Sequence, residues 1–155
     1  MTKATNIVCN AAGQPVTVTD ANQNTTTLGY QDYDVRTVMD ALNRTTTITT
    51  DILGHVVGVT DPLGNLSRRV FDTNDRVTTS VDPSNQVTTY QYDNNGNLHI
   101  VTLPNTGFVT YKYDVRNRLT TRIDELDELL AKPNTDAWTY DNLYNVLTQE
   151  TKGPE

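Results

Sequence analysis

The sequence predicts an all-β fold, an antiparallel meander of repeated β-hairpins forming a curved or spiral sheet. Three observations carry this prediction. Asp- or Asn-led turn tetrads recur every 10 or 11 residues, and that spacing leaves about one strand's length of chain between turns. The segments between turns are dominated by Val, Ile, Thr and Tyr, side chains that suit a pleated, half-buried surface. Tyr92-Asp93 returns as Tyr113-Asp114 after 21 residues, and a fixed period in this range marks a repeat architecture.

The turns come first. A type I turn closed by a left-handed residue favours Asp or Asn at its first position, Pro at its second and Gly or Asn at its fourth. The chain spells this at Asn10–Gly13, Asp20–Gln23, Asp40–Asn43, Asp51–Gly54, Asp61–Gly64, Asp72–Asp75, Asp82–Asn85, Asp93–Gly96 and Asp114–Asn117. Asp51, Gly54, Asp61, Gly64, Asp72, Asp82, Asp93, Gly96, Asp114 and Asn117 are therefore the expected structural turn residues. Joined to a bulge, such a turn is a common three-residue hairpin connection.

The strands follow. Leu98, Ile100 and Thr102 share one face by period-two alternation, as do Val77, Thr79 and Val81. Val109, Tyr111 and Tyr113 repeat the pattern of Thr88, Tyr90 and Tyr92. Stacking the units aligns Tyr30, Phe71, Tyr92, Tyr113 and Tyr140 in one ladder, expected as a core seam. The repeats span roughly 10–30, 31–50, 51–71, 72–92, 93–113 and 114–124, then 137–150, in a single repeat domain over 1–155. Gln31–Asp34 stands where a turn is due, and the strand after it reads one residue short before Asp40. Residues 125–136, acidic and Leu-bearing with Pro133 as a breaker, read as an insertion loop that could hold one short helix.

Composition bounds the function. Of 155 residues about a third are hydrophobic, and the formal net charge is −7. An acidic surface repels phosphate backbones, so neither nucleic acid nor an anionic membrane is an expected partner. Cys9, the one cysteine, cannot form an internal disulfide and reads as a buried or idle thiol. The opening residues lack the apolar run of a signal peptide, and no stretch is long enough to span a bilayer.

The chemistry-bearing residues read as structural. The aspartates stand at first turn positions, where a carboxylate caps backbone N–H groups, so no metal site is expected. Asp72–Asp75 superficially looks like a calcium loop but lacks the glycine and glutamate such a loop needs. His55 and His99 fall in strands at different phases of the repeat and form no nucleophile–histidine–carboxylate array. No catalytic residue and no cofactor is expected. Leu103–Gly107 spells a sortase signal, but more repeat follows it and a turn is due there.

These residues resemble the Rhs/YD-repeat family. The best copies of its pattern are Asp51–Gly54 running to Thr60-Asp61-Pro62-Leu63-Gly64, and Tyr92-Asp93-Asn94-Asn95-Gly96-Asn97-Leu98. The resemblance covers roughly residues 7–150, and its specificity lies in regular recurrence. It implies kinship with large bacterial polymorphic toxins and toxin-complex subunits, with similar repeats in animal teneurins. In those proteins a spiral β-sheet forms a hollow shell around a cytotoxic C-terminal segment. The resemblance thus implies a structural, non-catalytic shell segment, secreted or at the cell surface. Its partners would be the remainder of a larger Rhs protein or a second copy met through the sheet edges.

The chain departs from the family in two ways. Its units suffice for only part of a shell. Of the paired Asp-Pro-x-Gly motifs of self-cleaving relatives, Asp61–Gly64 is intact but Asp82–Asn85 lacks the glycine, so neither self-proteolysis nor a following toxin segment is expected. The alternative reading is a carbohydrate-binding or adhesion module. Tyr33 and Tyr144, which fall in turns, are its candidate glycan contacts.

Overall fold

The computed structural model describes residues 4–105, 107–125 and 134–153, and every element in it is a β-strand. By contact density the chain divides into two compact units, Met1–Val70 with Asp82–Ser84, and Phe71–Val81 with Asn85–Glu155. A division of this kind is natural where each hairpin touches only its neighbours and no shared interior gathers distant segments.

The first unit carries β1 (Asn6–Cys9), β2 (Pro15–Thr19), β3 (Thr25–Gln31), β4 (Asp34–Met39), β5 (Thr45–Thr50), β6 (Val56–Thr60) and most of β7 (Leu66–Phe71). The second carries β8 (Val77–Val81), β9 (Val87–Tyr92), β10 (Leu98–Thr102), β11 (Phe108–Tyr113), β12 (Leu119–Asp124), β13 (Asn134–Tyr140) and β14 (Val146–Lys152). Within each unit the strands lie in sequence order and pair antiparallel with their neighbours. The fold is an all-β antiparallel meander.

Local chemistry sets this arrangement. At Asp51 the backbone N–H donates to the His55 carbonyl at 3.0 Å, and the Gly54 N–H returns to the Asp51 carbonyl at 3.2 Å. The same pair of bonds closes the turns at Asn10, Asp20, Asp40, Asp61, Asp72, Asp93, Asp114 and Asp141. The fourth turn residue is left-handed in each, with φ from 58° at Asn117 to 88° at Gly64. Glycine reaches that region without steric cost, whereas a β-branched residue there costs about 1–2 kcal/mol. Gly96→Val is accordingly expected to lower the stability in urea by about that amount, and Asn117→Gly to leave it level or raise it.

Gln31–Asp34 departs from the others. Asp32 and Tyr33 both have positive φ, 50° and 72°, and Gln31 pairs directly with Asp34. Two left-handed central residues define a two-residue type I′ hairpin. The missing residue was expected in the strand before Asp40, but β4 keeps six residues. The deletion therefore sits in the turn.

Register places the side chains. In the first unit one face is largely threonine, with rows Thr17–Thr27–Met39–Thr45 and Thr37–Thr47–Thr60–Leu66. The other face is aliphatic, with Leu28 opposite Val38 and Ile48 opposite Val59. In the second unit Tyr90, Val101 and Val109 form one row. On the opposite face run Gln91, Ile100, Thr110, Ile123, Thr135 and Lys152. Each cross-strand pair of this kind contributes about 0.2–1 kcal/mol.

Burial is shallow. Among the described residues, Val109, at 5 % exposure, is the buried apolar side chain. The ladder residues Tyr30, Phe71, Tyr92, Tyr113 and Tyr140 are half-buried. The core seam expected of them is not an enclosed core, because in one layer of strands a ring is covered only by same-face neighbours. Cys9, read as a buried or idle thiol, is exposed at the end of β1. β13 begins at Asn134, so residues 134–136, expected in the insertion, are strand. The rest of that segment, with its expected helix, lies outside the described residues except Glu125.

Candidate functional site

The turn aspartates each work as a three-way anchor. Asp93 Oδ1 accepts the N–H groups of Asn95 and Asn97 at 2.9 and 2.8 Å, and its Oδ2 accepts the Asn97 side-chain amide at 3.0 Å. Asp20, Asp61 and Asp141 repeat this with Asn24, Asn65 and Asn145. Arginine takes the amide's place at Arg44, Arg76 and Arg118, with Nε 2.7–2.8 Å from the carboxylates of Asp40, Asp72 and Asp114. His55 Nδ1 does so 2.9 Å from Asp51. These donors hold the carboxyl groups of Asp20, Asp40, Asp51, Asp61, Asp72, Asp93 and Asp141 below the ordinary value of 3.8 through the side-chain bond first. At Asp114 the Arg118 backbone N–H is the largest cause. At Asp82 the Ser84 N–H donates to Oδ1 at 2.8 Å, and Asn85 has φ 61°.

The tyrosines tie the second strand of a repeat to the strand before it. Tyr30 Oη donates to the Pro15 carbonyl at 2.8 Å, Tyr92 to Val77 at 2.8 Å, Tyr113 to Leu98 at 2.9 Å and Tyr140 to Leu119 at 2.7 Å. Every acceptor is the first strand residue after the preceding turn of the same phase. Burial raises the Tyr92 and Tyr113 phenols above 10.0, so both remain donors at neutral pH. Phe71 holds the ladder position with a ring but no hydroxyl.

Further links run between successive turns of the second unit. The Arg76 guanidinium lies 4.3 Å from the Tyr92 ring centroid, and that of Arg118 lies 4.7 Å from Tyr140. Asn97 Nδ2 donates to Asn117 Oδ1 at 2.9 Å, and Arg118 to the Asp141 carbonyl at 2.8 Å. In the first unit Gln14 donates to the Tyr33 carbonyl at 3.1 Å, and Thr50 to Asp34 at 2.8 Å. Sequence reasoning missed these bonds. The signal that could have found them is the Asn, Arg or His four residues after each turn aspartate.

The remaining candidates find local roles. His55 is a turn residue in the position Arg76 and Arg118 hold. His99 Nδ1 lies 3.0 Å from the Tyr111 carbonyl on the next strand. Leu103 donates to the Gly107 carbonyl at 2.8 Å, a turn within the sortase-like stretch. Tyr33 is 81 % exposed and Tyr144 61 %. Tyr33 belongs to the first unit and Tyr144 to the second. Arg116 and Arg118 approach the Tyr144 ring to 5.9 and 5.3 Å. Among the described residues no group of His, Cys, Asp and Glu is placed to hold a metal ion, and no helix is long and apolar enough to cross a membrane.

Residues 71–107 match the family model described as RHS Repeat. No curated protein matches the chain. Among solved structures, the chain is similar to one in the Photorhabdus luminescens Tc holotoxin pore, with TM-score 0.79 and 17 % identity over 97 % of this chain and 9 % of that one. It is also similar to a chain in the TcdB2-TccC3 structure, at TM-score 0.62 and 17 % identity over 96 % and 8 %. A chain in the TcdB2-TccC3-TEV structure gives 0.61 and 13 % over 96 % and 11 %. The chain thus spans about a tenth of the length of these neighbours, and at such identities the likeness is one of fold.

Proposed function

From the premise that this chain is an Rhs/YD-repeat fragment, we propose that it is a length of shell wall, with a mechanical rather than catalytic role. The observation that carries this reading is the strand-to-strand bond from each ladder tyrosine to the strand before it. A strand held this way is fixed to its neighbour without needing a closed interior, so strands can be added in series. Half-burial on both faces fits a wall better than a self-sufficient globule. The toxin-carrying role of family relatives, and a secreted or surface location, belong to the same proposal.

Tyr33 and Tyr144 are assigned to turn geometry rather than to glycan stacking. Both stand at left-handed positions, and the Tyr144 ring faces two arginines.

A wall segment continues through its sheet edges. β14 is exposed at every residue, Leu147 at 64 %, and unpaired strand edges are templates for another strand. Sedimentation velocity over a concentration series is expected to show association, and Leu147→Lys is expected to weaken it. A strict monomer at the highest attainable concentration would count against the wall reading.

A further inference from the structure

Arg36 and Arg69 set one face of the first unit apart. The buried Nε of Arg36 has no hydrogen-bond partner among the described residues, whereas Arg44, Arg76, Arg118 and Arg122 are each matched to a carboxylate. Asp34 is two residues away, but its Oδ2 accepts the Thr50 hydroxyl. Thr37 pairs with Thr47, Ile48 with Val59 and Val59 with Ser67. Ile48, Val59 and Ser67 thus form one row, and Arg36 is the residue before Thr37, at the register shift where Tyr30 pairs with Val35 and Gly29 with Thr37. Arg69 lies two residues beyond Ser67 on the same face, lining a groove of about 250 Å³ with Val57 and Val59. No ion pair is made by Arg69 among the described residues.

We propose that this face binds an extended polypeptide segment in which carboxylates are separated by aliphatic side chains. Arg36 and Arg69 would take the carboxylates, and Ile48, Val57 and Val59 the aliphatic groups between them. The charge argument is direct. In a chain of net charge −7, these two guanidinium groups make no ion pair among the described residues, and an arginine fork matches a carboxylate in two parallel bonds. The aliphatic lining favours a peptide over a free inorganic anion. Three strand spacings separate β4 from β7, about 14 Å, which about four extended residues span. The inference goes beyond the wall reading and rests on the first unit alone.

The test uses the full chain and a labelled, amidated peptide with two aspartates four positions apart among leucine and valine. Fluorescence anisotropy is expected to show saturable binding, weakened about tenfold when asparagine replaces both aspartates. Arg36→Leu and Arg69→Leu are each expected to weaken it by about the same factor. The thermal midpoint of Arg36→Leu should not fall, because its Nε has no hydrogen bond to lose among the described residues. Absent binding, equal affinity for the asparagine peptide, or undiminished affinity in the double variant would overturn the proposal. Displacement of the peptide by inorganic phosphate beyond that by chloride at equal ionic strength would also overturn it, since charge alone would then suffice.

Discussion

Acidification from pH 5 to pH 3 is expected to lower the thermal midpoint steeply, loosening the turns together. The carboxyl groups of Asp20, Asp40, Asp51, Asp61, Asp72, Asp93, Asp114 and Asp141 all lie below 3.8 in the folded chain. A depressed folded value means the unfolded chain takes up protons first. The stability these groups lend is full above the unfolded value of about 3.9 and is lost as pH falls through the folded values. Each effect is small at an exposed turn, but they share one sign and one window, so they add.

Asn10 supplies the control. Its Oδ1 accepts the N–H groups of Ala12 and Gln14, both at 3.0 Å, so a neutral amide can hold the same turn. A variant with Asn at positions 61, 93 and 141 should therefore fold and show a shallower acid transition. Circular dichroism melts between pH 6 and 2.5 would decide this. A midpoint that does not move over that range would refute the carboxylate account of the turns.

Substitutions at Tyr92 are expected to separate the hydroxyl from the ring. Tyr92→Phe removes the 2.8 Å bond to the Val77 carbonyl and should cost about 1 kcal/mol. Tyr92→Ala also strips a half-buried ring from the sheet and should cost about 2–4 kcal/mol, less than a fully enclosed aromatic would. Arg76 lies over that ring, so a double-mutant cycle between Arg76 and Tyr92 should give a coupling of about 0.5–1 kcal/mol. Urea denaturation of the wild type, Tyr92→Phe, Tyr92→Ala, Arg76→Ala and the Arg76→Ala/Tyr92→Ala double variant measures all three quantities. Equal stability of the wild type and Tyr92→Phe would remove the strand-to-strand tyrosine bond as a source of stability.

The turns were legible because every interaction that makes them falls within five residues. Asp at the first position, a left-handed residue at the fourth and Asn, Arg or His at the fifth can be read without knowing where the rest of the chain lies. The strands between them were legible from composition and alternation. At Gln31–Asp34 the deletion was visible but not its place, since a short turn and a short strand give the same count. The backbone resolved it through the positive φ of Asp32 and Tyr33.

The ladder was visible as spacing and misjudged as packing. A period of 21 residues aligns Tyr92 with Tyr113, but what covers a ring depends on whether a second layer exists, and no local pattern encodes that. The bond from Tyr113 to Leu98 crosses 15 residues of chain and follows from the register of β10 against β11, in which Ile100 faces Thr110. The same holds for Arg36, an ordinary strand residue in the sequence. By itself, then, the sequence determined where this chain turns, how long its strands run and that its units repeat, because short-range bonding decides those. Only the tertiary structure decided which carbonyl each tyrosine reaches and which arginines lack an acceptor among the described residues, because those depend on how neighbouring strands align across the sheet.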